Sequence, residues 1–311
     1  MKPVSPSQNK KSGFILISVM FTVTLLITAA TAFAWFARNE AHRMTSEIYM
    51  AQTERVAEIA AARAKKLLAK DTNSYDSFKE DLYTSKGIQY YSVGEYKAEV
   101  HFRPLNDKID INEVLLPDRV TPRGEYTYAW EEIWRKVEHS ELSDIVLDFF
   151  DYDKKQRPGG REDDICINRE ISDLSELLLV PELNRDILSG ITERDKRVPG
   201  LTHFFTVTGG QKININTASQ EVIAVLDDKI GEAGASSVAA YRELYPIKDM
   251  TDLENIAGIP SGVLKRLTNV IAFKSSFVEL TIFVTDDRSK RTRKFVLIAD
   301  KSSGRTVTWR E

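Results

Sequence analysis

Cysteine is nearly absent. Cys166 stands alone in 311 residues, so no intrachain disulfide can form. Any folded part is held by its core or by a bound ion, not by covalent staples. Net charge is also missing: 43 Lys and Arg nearly balance 46 Asp and Glu, a net of −3. That balance gives no support to a bulk nucleic-acid binder. Residues 14–36 hold no charge, and residues 1–13 hold no acid but carry Lys2, Lys10 and Lys11. Residues 38–70 lack proline and glycine, so nothing there breaks a helix. The uncharged run has 23 residues. As a helix it reaches about 35 Å, enough for a hydrocarbon core of about 30 Å. Lysines on its N-terminal side hold that end in the cytoplasm and send the rest of the chain outward.

The order of these parts is informative. A secretory signal has a shorter apolar core, with its small-residue cleavage site after that core. Here the candidate site, Lys11-Ser12-Gly13, comes before Phe14 and the apolar run. This layout resembles the leader of type IV prepilins. The resemblance implies cleavage between Gly13 and Phe14 by a prepilin peptidase, with Phe14 becoming the methylated first mature residue. A residue without Cβ suits a tight protease site. The family usually has Glu at the fifth mature position, where it neutralises a neighbouring subunit's amine; this chain has Ser18. A buried carboxylate is costly in lipid without such a partner. Its absence predicts a subunit with nothing above it, at a filament tip. The alternative is an ordinary single-span anchor.

Beyond the span the pattern predicts continued helix to about residue 70. Val56, Ile59, Ala60, Ala64 and Leu67 recur at three- and four-residue steps as one apolar stripe. Polar–apolar alternation predicts strands over 89–93 and 95–102, with 108–112 as a further strand of the same sheet. Residues 128–244 read as mainly helical, with Trp130, Ile133, Trp134 and Val137 on one face and Leu142, Ile145, Val146 and Phe149 on another. Strands return over 277–284, 293–299 and 305–309, separated by turn residues. The expected fold class is α+β: a pilin-like N-terminal spine helix on an antiparallel sheet, with a large helical inserted domain.

Asp148-Phe149-Phe150-Asp151-Tyr152-Asp153 is followed by a Pro158-Gly159-Gly160 turn and Arg161-Glu162-Asp163-Asp164. Carboxylates around a turn suit a hard cation, which takes six to eight oxygens. The spacing does not fit an EF-hand loop. A solvated acidic loop, with Lys154, Lys155 and Arg157 as counter-ions, is the other reading. Lys212-Ile213-Asn214-Ile215-Asn216-Thr217 precedes a helix that Asn216 or Thr217 can cap. Residues 253–264 have the helix, glycine turn, helix form of a helix-hairpin-helix unit, which binds DNA phosphate through backbone amides. Residues 201–275 carry seven basic and eight acidic side chains, a balance of −1. A phosphate-reading face needs a basic footprint, so the hairpin reads as packing.

The leader lacking its Glu, the Asp-rich loop before Gly160-Arg161-Glu162-Asp163, and the Ile-Asn-Ile-Asn segment together resemble protein K of the type II (general) secretion pathway, a minor pseudopilin family. Family members place Trp where Phe149 stands and Tyr near the position of Cys166. The resemblance implies Ca²⁺ near the acidic loop, with Asp151, Asp153, Glu162, Asp163 and Asp164 as candidate ligands. It implies a non-enzymatic tip subunit that initiates or caps the pseudopilus. Its partners would be minor pseudopilins I and J and the major pseudopilin, with no nucleic acid. The protein would be single-pass in the inner membrane with its C-terminal domain in the periplasm. The expected divisions are a leader (1–13), a membrane segment (14–36), spine and first strands (37–127), a helical insert (128–274) and closing strands (275–311). The rivals are a membrane-anchored DNA-uptake protein using the hairpin and an extracytoplasmic hydrolase using the acidic loop.

Overall fold

A computed structural model describes residues 9–193, 196–256 and 259–311. Residues 1–8 of the expected leader, and the Ala257-Gly258 turn of the hairpin, lie outside the described residues. The chain divides into two compact units, residues 1–56 and 57–311.

Helix α1 (Asn9–Leu68) is unbroken, as good helix formers without Pro or interior Gly beyond residue 13 dictate. From Phe14 it is long and apolar enough to cross a membrane. In the span, Ser18, Thr22, Thr24, Thr28 and Thr31 each return their hydroxyl to a carbonyl three or four residues earlier. These bonds satisfy every side-chain hydroxyl in the span.

In the second unit, α1 is followed by strands β1 (Gln89–Val93) and β2 (Tyr96–Pro104). Next come β3 (Ile109–Asp110), α2 (Gly124–Lys136), α3 (Ser143–Phe150), α4 (Arg185–Ser189), and the hairpin β4 (Gly190–Glu193) and β5 (Lys196–Pro199). Helix α5 (Leu201–Phe204), β6 (Phe205–Thr206), β7 (Ile213–Asn214), α6 (Gln220–Ala224), α7 (Gly231–Leu244), α8 (Met250–Glu254), α9 (Ser261–Leu267) and β8 (Ile271–Ala272) follow. Strands β9 (Phe277–Asp286), β10 (Thr292–Asp300) and β11 (Thr306–Arg310) close the chain.

The main sheet is antiparallel with order β1-β2-β9-β10-β11. Strands β2 and β9 are direct neighbours, pairing Val100 with Ile282 and Phe102 with Leu280. Residues 105–276 are therefore one long connection between adjacent strands, an insert grown from the pilin-like sheet. Alternation puts Ala98, Val100, Leu280, Ile282, Phe295 and Leu297 on one buried face. Burying each larger aliphatic side chain contributes about 1.5–3 kcal/mol. Arg63 of α1 lies over the Tyr91 ring on that same face, 5.5 Å from its centroid.

Val56, Ala60 and Ala64 of the expected stripe are buried, but Ile59 and Leu67 are not. Ala57, Ala60, Ala61, Ala64 and Leu68 are buried, while Ile59 and Leu67 stand half-exposed at its margin. Small side chains dominate the buried stripe, although Val56 and Leu68 also lie in it.

The insert has its own core, running from Ile109 to Ile271 in the sequence and including Tyr126, Ile133, Phe149 and Phe205. Trp130 stands edge-on to Trp134 at 5.7 Å and tilted to Phe205 at 5.4 Å. Two expectations are corrected. The segment 108–112 does not extend the main sheet: β3 pairs in parallel with β6 inside the insert. The region 128–244 is not uniformly helical, since β4 to β7 lie within it. Within that region, Leu174–Leu179 is a six-residue 3-10 turn capped by Asp173.

Candidate functional site

The acidic loop begins where α3 ends. Asp148 and Asp151 are 0% and 1% exposed, a costly placement for two carboxylates unless a cation joins them. Arg157 is that cation. Its guanidinium NH1 donates to Asp148 Oδ1 (2.7 Å) and to Asp151 Oδ2, NH2 donates to Val120 O (2.6 Å), and its backbone N–H reaches Asp148 Oδ2 (3.0 Å). The Pro158-Gly159-Gly160 turn lets the chain approach α3 this closely. A Cβ at Gly160 would overlap the Asp148 carboxylate, and one at Gly159 would press on that of Asp144.

The five candidate ligands do not converge as one set. Asp151 faces the interior; its Oδ1 is buried and without a hydrogen-bond partner. Asp153 folds its Oδ1 onto the Lys155 amide (2.8 Å). Asp163 accepts from Ile165 N (3.0 Å) and pairs with Arg161 (2.8 Å). Asp164 is exposed. Glu162 approaches Asp151 through a residue that the sequence does not flag, Asn168. With its amide nitrogen turned inward, Asn168 donates to Glu162 Oε1 (3.3 Å) and to Asp151 O (3.1 Å). Asn168 sits in the left-handed region (φ 46°), which Asn tolerates better than most residues.

Burial pushes the Asp151 carboxyl up by more than the Arg157 bond pulls it down. Burial, and then the charge of Asp151, raises Glu162. Both carboxyls thus hold a proton more readily than free ones do. Among the described residues no group of three or more His, Cys, Asp or Glu stands in metal-holding geometry. Any site here must draw on amide and main-chain oxygens as well.

The Ile-Asn-Ile-Asn segment is a buried suture. Asn214 Nδ2 donates to Asp76 O and Ser275 Oγ, both at 2.9 Å, and its Oδ1 accepts from Asn216 N (3.0 Å). Asn216 pairs with the backbone of Ile247 in both directions, at 2.8 Å each. Asn106 binds the amides of Ser276 and Phe277 through its oxygen and the Gly209 and Lys212 carbonyls through its nitrogen. Neither Asn216 nor Thr217 caps the next helix; Ser219 does, accepting from Val222 N at 3.2 Å. Beside this network Lys301 is buried against Asp71 and Asp76, 2.5 Å from each.

The hairpin packs inward. Leu253, Ile256, Val263, Leu264 and Leu267 belong to the insert core. Arg266 forks onto Asp227 at 2.7 Å through both Nε and NH2, so its charge is committed within the protein. His203 offers one nitrogen, Nε2, to both Ser219 Oγ (3.4 Å) and Glu221 (3.6 Å). A nucleophilic relay needs separate nitrogens for nucleophile and acid, and Ser219 is already a helix cap.

The expected processing pair, Gly13 and Phe14, falls within α1, with Phe14 exposed. The profile of the family described as type II secretion system (T2SS), protein K, matches residues 213–274, the stretch holding the asparagine suture and the hairpin. No curated protein matches the chain. The fold matches a chain in the crystal structure of the GspK-GspI-GspJ complex from the enterotoxigenic Escherichia coli type 2 secretion system. The TM-score is 0.56 at 14% identity, over 88% of this chain and 98% of that one. The chain thus shares its fold, a five-stranded antiparallel sheet with a large insert, with a chain of that complex, and the segment at the seam between sheet and insert is similar to the protein K family.

Proposed function

We propose that this chain is a minor pseudopilin of the type II secretion protein K family and occupies the tip of the pseudopilus, where it initiates or caps the filament in a ternary complex with minor pseudopilins I and J. One observation carries the reading. Ser18 stands where a filament-interior subunit would offer a carboxylate, and its hydroxyl is spent on Ile15 O at 2.9 Å. It has no charge to neutralise the amine of a subunit above it. The insert adds to this, because residues 105–276 emerge between two neighbouring strands and enlarge the head of the subunit. The matched structure is a complex of GspK with GspI and GspJ, which supports the same company here. The major pseudopilin would follow below.

Maturation fits the same picture. A prepilin peptidase would cut between Gly13 and Phe14, the freed helix would stay in the inner membrane, and residues 57–311 would stand in the periplasm. The role is structural, not enzymatic. A bulky residue at position 13 tests the leader: Gly13→Leu should abolish processing and secretion, and unchanged export would refute it.

The acidic loop would hold Ca²⁺. Its buried, unpartnered Asp151 Oδ1 is the kind of oxygen that a hard cation satisfies. Asp151 and Glu162 would hold the ion, with Asp153, Asp163 and Asp164 raising the local negative potential. The test is thermal melting of the full-length protein in detergent with CaCl2 or with EDTA. A higher melting temperature in calcium supports the reading, and identical curves refute it.

A further inference from the structure

The main sheet ends in two edge strands, and they differ. Strand β11 is defended: its register against β10 shifts between Ile298 and Ala299, and it carries Arg310. A bulge and a charge are usual devices that keep an edge from pairing further. Strand β1, Gln-Tyr-Tyr-Ser-Val, has neither. It holds no charge and no proline, and all five residues pair with β2 in unbroken register. Among the described residues no backbone hydrogen bond joins 89–93 to any element but β2. The outward N–H and C=O groups of β1 are half of a ladder without its other half.

The face beneath α1 also runs on past β1. Gln89 lies beside Val100 and Tyr91 beside Ala98. Val100 and Ala98 are buried, whereas Gln89, Tyr91 and Val93 stay half-exposed. Arg63 rests on the Tyr91 ring, which sets its flank of α1 over β1. Ile59, Arg63 and Leu67 follow one another at four-residue steps and share that flank. Ile59 and Leu67 are half-exposed, and among the described residues no carboxylate pairs with Arg63. The result is a ledge beside β1 that is apolar with one uncompensated cation. A second copy of the chain does not suit it. Two β1 strands paired antiparallel about Tyr91 would bring both Arg63 side chains to one face, like charge to like.

We propose that β1 is a docking strand, which takes up an extended acidic segment of a different protein as a sixth strand of the sheet. The segment carries a carboxylate on its inward face, opposite Arg63, between apolar side chains that meet Ile59 and Leu67. Main-chain bonds to β1 supply the affinity, and the alternate side chains under α1 supply the choice of partner. The inference stands apart from the tip and calcium readings above.

The probe is the fluorescein-labelled peptide Thr-Val-Thr-Glu-Thr-Val-Thr, whose Val and Glu side chains share one face of a strand. It is titrated with full-length protein in detergent and read by fluorescence anisotropy. Wild type should bind it saturably, and Lys in place of the peptide's Glu should weaken binding on the order of tenfold. Arg63→Glu should reverse that preference and favour the Lys peptide, a result that loss of folding cannot produce. N-methylation of alternate peptide amides, on the edge that meets β1, should abolish binding by removing ladder donors. Equal binding of plain and N-methylated peptides would overturn the strand pairing. Equal binding of the Glu and Lys peptides would overturn the part given to Arg63. No saturable binding of either peptide would overturn the inference, and sedimentation of the protein as a dimer would give the edge to a second copy instead.

Discussion

Asn214 and Asp76, 138 residues apart in sequence, meet in a single buried hydrogen bond of 2.9 Å from the asparagine side chain to the aspartate carbonyl. The same side chain reaches Ser275 Oγ, and Asp76 Oδ2 accepts from Ser275 N at 2.7 Å. One asparagine therefore joins the insert, the segment after α1 and the approach to β9.

Asn214→Leu keeps the volume but strands the Asp76 carbonyl and the Asn216 amide. Each buried group left without a partner costs about 1–3 kcal/mol. The variant should lose on the order of 2–4 kcal/mol of stability, read as a lower urea midpoint for the full-length protein in detergent. A midpoint equal to wild type would contradict the role given to this segment.

Lys301 sets its ammonium between Asp71 and Asp76, 2.5 Å from each. Burial raises the Asp71 carboxyl, but the hydrogen bonds and charge of Lys301, helped by Asn73 and Lys274, bring it below its ordinary value. A lowered carboxyl contributes stability above its unfolded pKa of about 3.9, and that contribution is lost as pH falls through the folded value. Lys301→Met should cost about 3–5 kcal/mol at pH 7. Part of that loss should return near pH 4, where the abandoned Asp71 carboxylate can take a proton. Melting curves at both pH values check this; a loss independent of pH would contradict it.

Two glycines make a contrasting pair. Gly160→Ala drives a methyl into the Asp148 carboxylate and should destabilise by about 1–3 kcal/mol. Gly124, the first residue of α2, has open space around its Cα. Gly124→Ala should be neutral or stabilising, by up to about 1 kcal/mol. Thermal melts of the two variants should differ in sign or in size; equal losses would count against the packing described for the Pro158-Gly159-Gly160 turn.

Much of the fold is legible from periodicity. The alternation in β2, β9 and β10 is long enough to fix both the strands and their buried face, and residues 89–93 match β1. The two-residue strands β3, β6, β7 and β8 are not legible, because two residues carry no period and their parallel partners lie far off in sequence. The spine stripe is legible at Val56, Ala60 and Ala64 and misread at Ile59 and Leu67, for another reason. Hydrophobicity ranks Ile59 and Leu67 above alanine, but a helix set close to a sheet favours the smaller side chain.

In the loop, charge draws attention to five carboxylates, yet three of them turn to local partners or to solvent. The residue that bridges Glu162 to Asp151 is neutral. Asn168 becomes visible only once its left-handed backbone places it. Arg157 is legible as a counter-ion but not as the buried clamp it forms, since its two aspartates are brought to it by the end of α3 and by the glycine turn.

The tip assignment makes its own demand on Ser18. A carboxylate there restores the charge that a filament-interior subunit presents to its neighbour's amine. Ser18→Glu should let the protein enter the shaft or disturb secretion; secretion and distribution identical to wild type would leave position 18 without the part assigned to it.

The most direct measurement is the position of the protein on the filament. Isolated pseudopili carrying a gold label on residues 57–311 of this subunit, imaged by electron microscopy, should show the label at one end only. Label repeated along the shaft would contradict the account.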